Sequence, residues 1–270
     1  MTDSAETRSM ALFCDFENIA LGVRDANYAE FDIGKVLERL LLKGNIVVKK
    51  AYCDWARYKE FKPSMHEASF ELIEIPHVRQ SGKNSADIRM VVDALDLCYT
   101  KEHVDTFVVI SGDSDFSPLV SKLRENDKTV IGVGVKNSTS DLLMANCDEF
   151  IYYDDLVERK KARAKKPAAK GAKKTKKAKK GKGAQSAEDK KQEACHLVVE
   201  TYEDLLEERG GEELIWGSMI KQTLKRQKPG FSEATYGFRS FGELLEDAQS
   251  RGFLKLERDK RSGGFILRGA

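Results

Sequence analysis

The stretch FVVISGDSDFSPLV, residues 107–120, runs an unbroken apolar segment into two aspartates spaced two apart. A short Val/Ile-rich run bounded by Ser-Gly reads as a fully buried strand. Ser117 and Pro118 read as a helix start, with Ser as the cap and Pro at the first helical position. Asp113 and Asp115 therefore stand at a strand's carboxyl end, just ahead of a helix. Two readings of the pair are open. Acids near a helix N-terminus meet its dipole favourably, or the two like charges are held together because they share a ligand.

Outward from this stretch, MALFCD, IVVKKAY, FELIEI, TVIGVGV and EFIYYD are further short runs rich in Val, Ile, Phe and Tyr. Between them lie residues at helical spacing, such as Val36, Leu37, Leu40 and Leu41, or Ile88, Val91, Val92 and Leu95. This alternation predicts an α/β fold over residues 9–158, with a mostly parallel sheet and helices on both faces. In such sheets ligands bind beyond the carboxyl ends of the strands.

Two other segments carry acids to that edge. The first strand ends on Asp15, with Asn18 three residues on, and KNSADIRMVVDAL places Asp87 at the opening of a helix after the third strand. Asp87 also has a plain structural role open to it, as the acid in the first turn behind a cap at Asn84. Asp93, six residues further, faces about 240° away and cannot share a site with Asp87. If the first and fourth strands are neighbours, Asp15, Asp87, Asp113 and Asp115 converge on one pocket. Uncompensated carboxylates are costly there unless a cation neutralises them. An all-oxygen donor set favours Mg²⁺ or Mn²⁺ over zinc. An ion of this kind activates water against a phosphodiester, with Asn18 placed to orient that water or a phosphate oxygen and Lys83 to contact a nucleic-acid backbone.

The length of 270 residues suits one domain of ordinary size plus a small second one. The net charge of +2 conceals a strong asymmetry, because residues 159–182 hold fourteen Lys or Arg and no acid. The rest is acidic. Residues 159–187 are Lys, Ala and Gly with little to bury, the composition of a disordered tether whose contact with nucleic acid would be salt-sensitive and without sequence preference. The five cysteines and four histidines are scattered without CxxC spacing, which supports neither a zinc site nor a disulfide framework. With no signal-peptide pattern and no membrane-length apolar run, a cytoplasmic protein is expected.

From residue 188 helical spacing returns. ACHLVVETYEDLLEERGG closes on Gly210 and Gly211, LIWGSMIKQTLKRQ and FGELLEDAQSRG read as two more helices, and GFLKLERDKRSGGFILRG reads as two strands around a charged turn. This order predicts a small winged-helix domain over residues 188–270. Phe231, Tyr236, Phe238 and Phe241 are interleaved with helix signals and read as core. Lys221, Lys225, Arg226, Lys228 and Arg239, with Arg258, Lys260 and Arg261 in the wing, are the candidates for contact with a nucleic-acid backbone.

FCDFENIA, KNSADIRMVVDAL and SGDSDFSPLV together resemble the three motif blocks of the NYN family, in the PIN-like nuclease superfamily, close to its LabA-like branch. The resemblance implies a metal-dependent ribonuclease whose acidic site maps onto Asp15, Asn18, Asp87, Asp113 and Asp115. The run PGFSEATYGFRSFGELL is similar to the LOTUS or OST-HTH domain, which implies RNA binding by the rear. RNA, single-stranded or structured, is thus the expected partner, with the oligomeric state open. An alternative is a non-catalytic RNA-binding adaptor with a vestigial acidic site. A haloacid-dehalogenase-type phosphatase fits poorly, since that family wants an Asp where Glu17 stands and spaces its late acids four apart rather than two.

Overall fold

A computed structural model describes residues 8–75, 85–158, 187–211, 214–259 and 262–269. The chain divides into two compact units, Met1–Ala168 and Ala169–Ala270. The Lys-rich tether, Lys83, Asn84, Lys260 and Arg261 lie outside the described residues.

The front unit holds six strands: β1 (Arg8–Asp15), β2 (Gly44–Cys53), β3 (Glu71–Glu74), β4 (Thr106–Ile110), β5 (Thr129–Gly134) and β6 (Glu149–Tyr152). The helices are α1 (Phe16–Asp25), α2 (Ile33–Lys43), α3 (Lys62–Glu67), α4 (Ser85–Thr100), α5 (Ser117–Glu125), α6 (Asp141–Asn146) and α7 (153–158). The strands form one parallel sheet in the order β3-β2-β1-β4-β5-β6. The expected α/β class, all six strands and the pairing of β1 with β4 are present. Strand order reverses between β1 and β4, and a crevice opens at such a reversal in doubly wound sheets.

Period-two alternation assigns the two faces. Met10, Leu12 and Cys14 of β1 pack with Val108 and Ile110 of β4 into one core, together with Phe16, Ile19 and Trp55. Ala11 and Phe13 pack with Phe107 and Val109 into the other, against Met90 and Ala94 of α4 and Leu119 and Leu123 of α5. The parity continues past the strands. Asp15 follows Ala11 and Phe13, and Ser111 follows Phe107 and Val109, so both belong to the face covered by α4 and α5. On the opposite face Phe16 anchors α1 among the rings of Phe31, Trp55, Tyr58 and Phe61. A core-anchored neighbour on one side and a site-facing carboxylate on the other fix where Asp15 stands.

The rear unit contains α8 (Ala187–Glu208), β7 (Ile215–Trp216), α9 (Gly217–Gln227), α10 (Phe241–Ser250), β8 (Leu254–Arg258) and β9 (Phe265–Gly269). Its small antiparallel sheet has the order β7-β9-β8. Phe231, Phe238 and Phe241 are buried in its core, with Tyr236 packed against them, as read from the sequence. One boundary differs. Ile215 and Trp216 are not helical but pair with Leu267 and Ile266 of β9, and the helix opens only at Gly217.

Candidate active site

Asp15 closes β1 and caps α1, its Oδ1 accepting from the Asn18 backbone N–H at 3.3 Å. It is 8 % exposed. Ser111, fully buried at the end of β4, donates its hydroxyl to Asp15 Oδ2 at 3.0 Å and accepts from the Asp113 N–H at 3.2 Å. Asp113 Oδ1 in turn accepts from the Asp115 N–H at 3.0 Å. Asn18 Oδ1 accepts from the Gly112 N–H at 2.8 Å. A chain of hydrogen bonds thus ties the ends of β1 and β4 together across the strand-order reversal. Asn18 spends its oxygen on holding the loop after β4.

Burial, then the charge of Asp87 and more weakly that of Asp113, push the Asp15 carboxyl up to about 7, against the opposing pull of the bonds from Ser111 and Asn18. Asp87 lies in the first turn of α4, as the sequence reading placed it. Asp93 is turned to other work, accepting from Tyr52 Oη at 2.9 Å and pairing with Lys50 and Arg89. Glu17, beside Asp15, is engaged by Arg57 at 3.1 Å. The oxygen-only chemistry of the four aspartates fits a hard cation, and the raised Asp15 marks a shortage of positive charge. Among the described residues no three acidic, His or Cys groups already stand at ion-holding distance. Mg²⁺ does not require a complete cage, because it commonly binds through one or two carboxylates and keeps several waters.

The expected Ser cap on α5 is corrected by the structure. A 3₁₀ turn, Ser114–Phe116, precedes the helix, Asp113 caps that turn, and Ser117 and Pro118 are already helical. The reason is local: an Asp side chain accepts readily from the N–H two residues on. Ser111 and Gly112 are the site residues that the sequence reading took for a plain turn. A lone serine carries no linear signal, although its place on the strand's odd parity puts it beside Asp15.

Because Ser111 holds the Asp15 carboxyl down, Ser111→Ala is expected to raise it further. The acidic limb of the pH–rate profile should then move to higher pH and activity at neutral pH should fall about 10–100-fold. An unmoved profile with the same loss would mean that Ser111 acts on geometry alone.

In the rear unit, Lys221, Lys225 and Lys228 are spaced along one side of α9 and its C-cap. Lys225 and Lys228 are exposed. Lys221 Nζ pairs with Glu233 at 2.7 Å. Arg226 is half-buried, donates to Thr223 Oγ1 at 3.0 Å, and is lowered in pKa by that burial. Arg239 is exposed, and Arg258 lies over the Phe265 ring at 5.8 Å.

Residues 9–154 match the family model described as the NYN domain. An uncharacterized protein of Methanocaldococcus jannaschii is 27% identical over 137 residues, which are 50% of this chain and 54% of that protein. The chain thus spans about half the length of the curated relative it matches. The crystal structure of a protein of unknown function from Vibrio parahaemolyticus aligns with a TM-score of 0.50 at 26% identity, over 57% of this chain and 97% of that one. On the family match, and with a six-stranded parallel sheet whose switch point carries the acids, the chain belongs to the NYN-domain family, within the PIN-like nuclease superfamily.

Proposed function

We propose that the chain is a metal-dependent ribonuclease that hydrolyses RNA phosphodiester bonds at Asp15, Asp87, Asp113 and Asp115. The observation that carries this reading is the buried Asp15 at the strand-order reversal, pushed up to about 7 by burial and by the charge of its acidic neighbours. A side chain placed for stability alone would not be set among like charges in a crevice. The four aspartates would hold Mg²⁺ or Mn²⁺, which when bound supplies an activated water and a charge at the leaving oxygen. Ser111 and Asn18 keep Asp15 and Asp113 in mutual register, and the amide of Asn18 orients water or a phosphate oxygen.

The rear unit is read as a LOTUS-type RNA reader that uses Lys225, Lys228, Arg239, Arg258 and the wing residues Lys260 and Arg261. Lys221 and Arg226, tied by Glu233 and Thr223, contribute less freely. The Lys-rich segment raises the concentration of RNA near the front unit, and the setting is cytoplasmic. Among the described residues no helix is long and apolar enough to cross a membrane.

The test compares the protein with Asp113→Asn on labelled single-stranded and structured RNA, with Mg²⁺, with Mn²⁺ and with EDTA. Cleavage that requires the metal and disappears in the variant, with RNA binding retained, is the expected result. Binding without cleavage on every substrate would turn the reading into that of an RNA-binding adaptor.

A further inference from the structure

Tyr52, near the end of β2, stands opposite Asp15 in the register of β1 with β2. Registered partners on neighbouring strands point to the same face, and Tyr52 is buried there with Ala11, Phe13 and Met90. Its hydroxyl reaches up to α4 and donates to Asp93 Oδ2 at 2.9 Å. Lys50, two residues back on β2, donates to the same oxygen at 3.3 Å, and Arg89 donates to Asp93 Oδ1 at 3.0 Å. The Asp93 side chain is only 12 % exposed. Burial, then the bond to Asp93 and its charge, push the Tyr52 phenol well up, so it stays a donor at any working pH.

The apolar side of α4 is poorly suited to fixing where the helix sits on the sheet. The residues it buries are Met90, Ala94 and Cys98, one long and pliable and two small, while Ile88, Val92 and Tyr99 are exposed. Such a stripe lets a helix slide or roll at little cost. A buried carboxylate with directional partners does not, and buried polar groups are best attested as devices that fix register. Asp87 lies six residues from Asp93, about 9 Å along the helix axis, so a slide of α4 at Asp93 is the same slide at Asp87. Asp15 feels the charge of Asp87, which places the two carboxyls in one neighbourhood. We infer that Tyr52 is a positioning residue of the acid site: through Asp93 it sets α4 on the sheet, and so sets the Asp87 carboxylate beside Asp15. The inference rests on the nuclease reading, in which Asp87 is one of the groups that hold the metal.

The experiment uses the full chain with Mn²⁺ alone as the probe, the free ion being counted by its electron paramagnetic resonance signal. Tyr52→Phe keeps the ring in the core and leaves Asp93 paired with Lys50 and Arg89. Its Mn²⁺ affinity should fall about tenfold, and kcat on RNA about 10–100-fold at unchanged KM. Lys50→Met, which frees the same Asp93 oxygen, should act in the same sense and serves if Tyr52→Phe does not fold. Tyr99→Phe removes a hydroxyl from the exposed side of α4 and should bind Mn²⁺ as the wild type does. In an Asp87→Asn background Tyr52→Phe should cost no further affinity, because the group it places is gone, whereas a general loosening of the fold would add its loss again. Two results overturn the inference: wild-type Mn²⁺ affinity in folded Tyr52→Phe and Lys50→Met, or a loss repeated in full in the Asp87→Asn background. Either of them, in a chain that cleaves RNA, leaves the nuclease reading standing. A wild type that neither binds Mn²⁺ nor cleaves removes that reading, and the role of Tyr52 with it.

Discussion

Asp15→Asn is expected to stop cleavage and, at pH 8 without divalent ions, to raise the melting temperature. The sign follows from linkage. The carboxyl is held at about 7 in the folded chain against an ordinary 3.8, so the folded state keeps a proton that the unfolded state releases. Stability is therefore lost as pH rises from the unfolded value through the folded one, and the loss is complete above about pH 7. Three pKa units correspond to roughly 4 kcal/mol. In a domain of this size it amounts to about 8–16 °C. Asparagine keeps the shape without the charge, and its one oxygen can keep one of the two bonds that Asp15 accepts, from Ser111 or from the Asn18 N–H. The gain should shrink by more than half at pH 5, where the wild-type carboxyl is already protonated. Mg²⁺ or Mn²⁺ at pH 8 should raise the wild-type melting temperature and leave the variant unmoved, while activity falls at least about 10²-fold. A variant that melts lower than the wild type at pH 8 would show that the carboxylate is already compensated in the folded chain.

The same residues show how far the sequence could be read. The six strands were legible because a parallel sheet covered on both faces needs continuous apolar runs, and each of those runs is a strand here. That Asp15 and Asp113 stand at the ends of adjacent strands was legible as well, since it needs only that β1 and β4 be neighbours. Contacts made at a distance were not legible. Ile215 and Trp216 look like the first turn of a helix, and only β9, some fifty residues on, draws them into a strand. Lys221 looks like a free phosphate ligand until Glu233 is brought to 2.7 Å. Ser117 looks like a cap because the 3₁₀ turn that displaces the helix start depends on the Asp113 side chain. Ser111 and Gly112 gave no signal because their partners, Asp15 and Asn18, lie more than ninety residues away.

Gly112 therefore carries a prediction that no linear reading would make. A Cβ built there meets the Ser138 carbonyl oxygen at 2.3 Å, its carbon at 2.9 Å and Thr139 Cα at 3.0 Å. All three are backbone or backbone-attached atoms, so no rotamer relieves the clash. The residue is also pinned on both sides, its N–H to Asn18 Oδ1 at 2.8 Å and its carbonyl to the Ser140 N–H at 2.9 Å. An added methyl must push the loop after β4 away from Ser138 and Thr139, and Asp113 moves with it. Gly112→Ala is expected to cost about 1–3 kcal/mol as an overpacked position. It should lower kcat by about 10²-fold, the penalty for misplacing a reacting group by about an ångström. RNA affinity, which the proposed function assigns mainly to the rear unit, should hold. Gly230→Ala is the matched control, since a Cβ there meets nothing within 4 Å, and its activity and melting temperature should stay at wild-type values. If Gly112→Ala cleaved normally, the loop could move without consequence, and the hydrogen-bonded chain from Asn18 to Asp113 would not be what places the carboxylate.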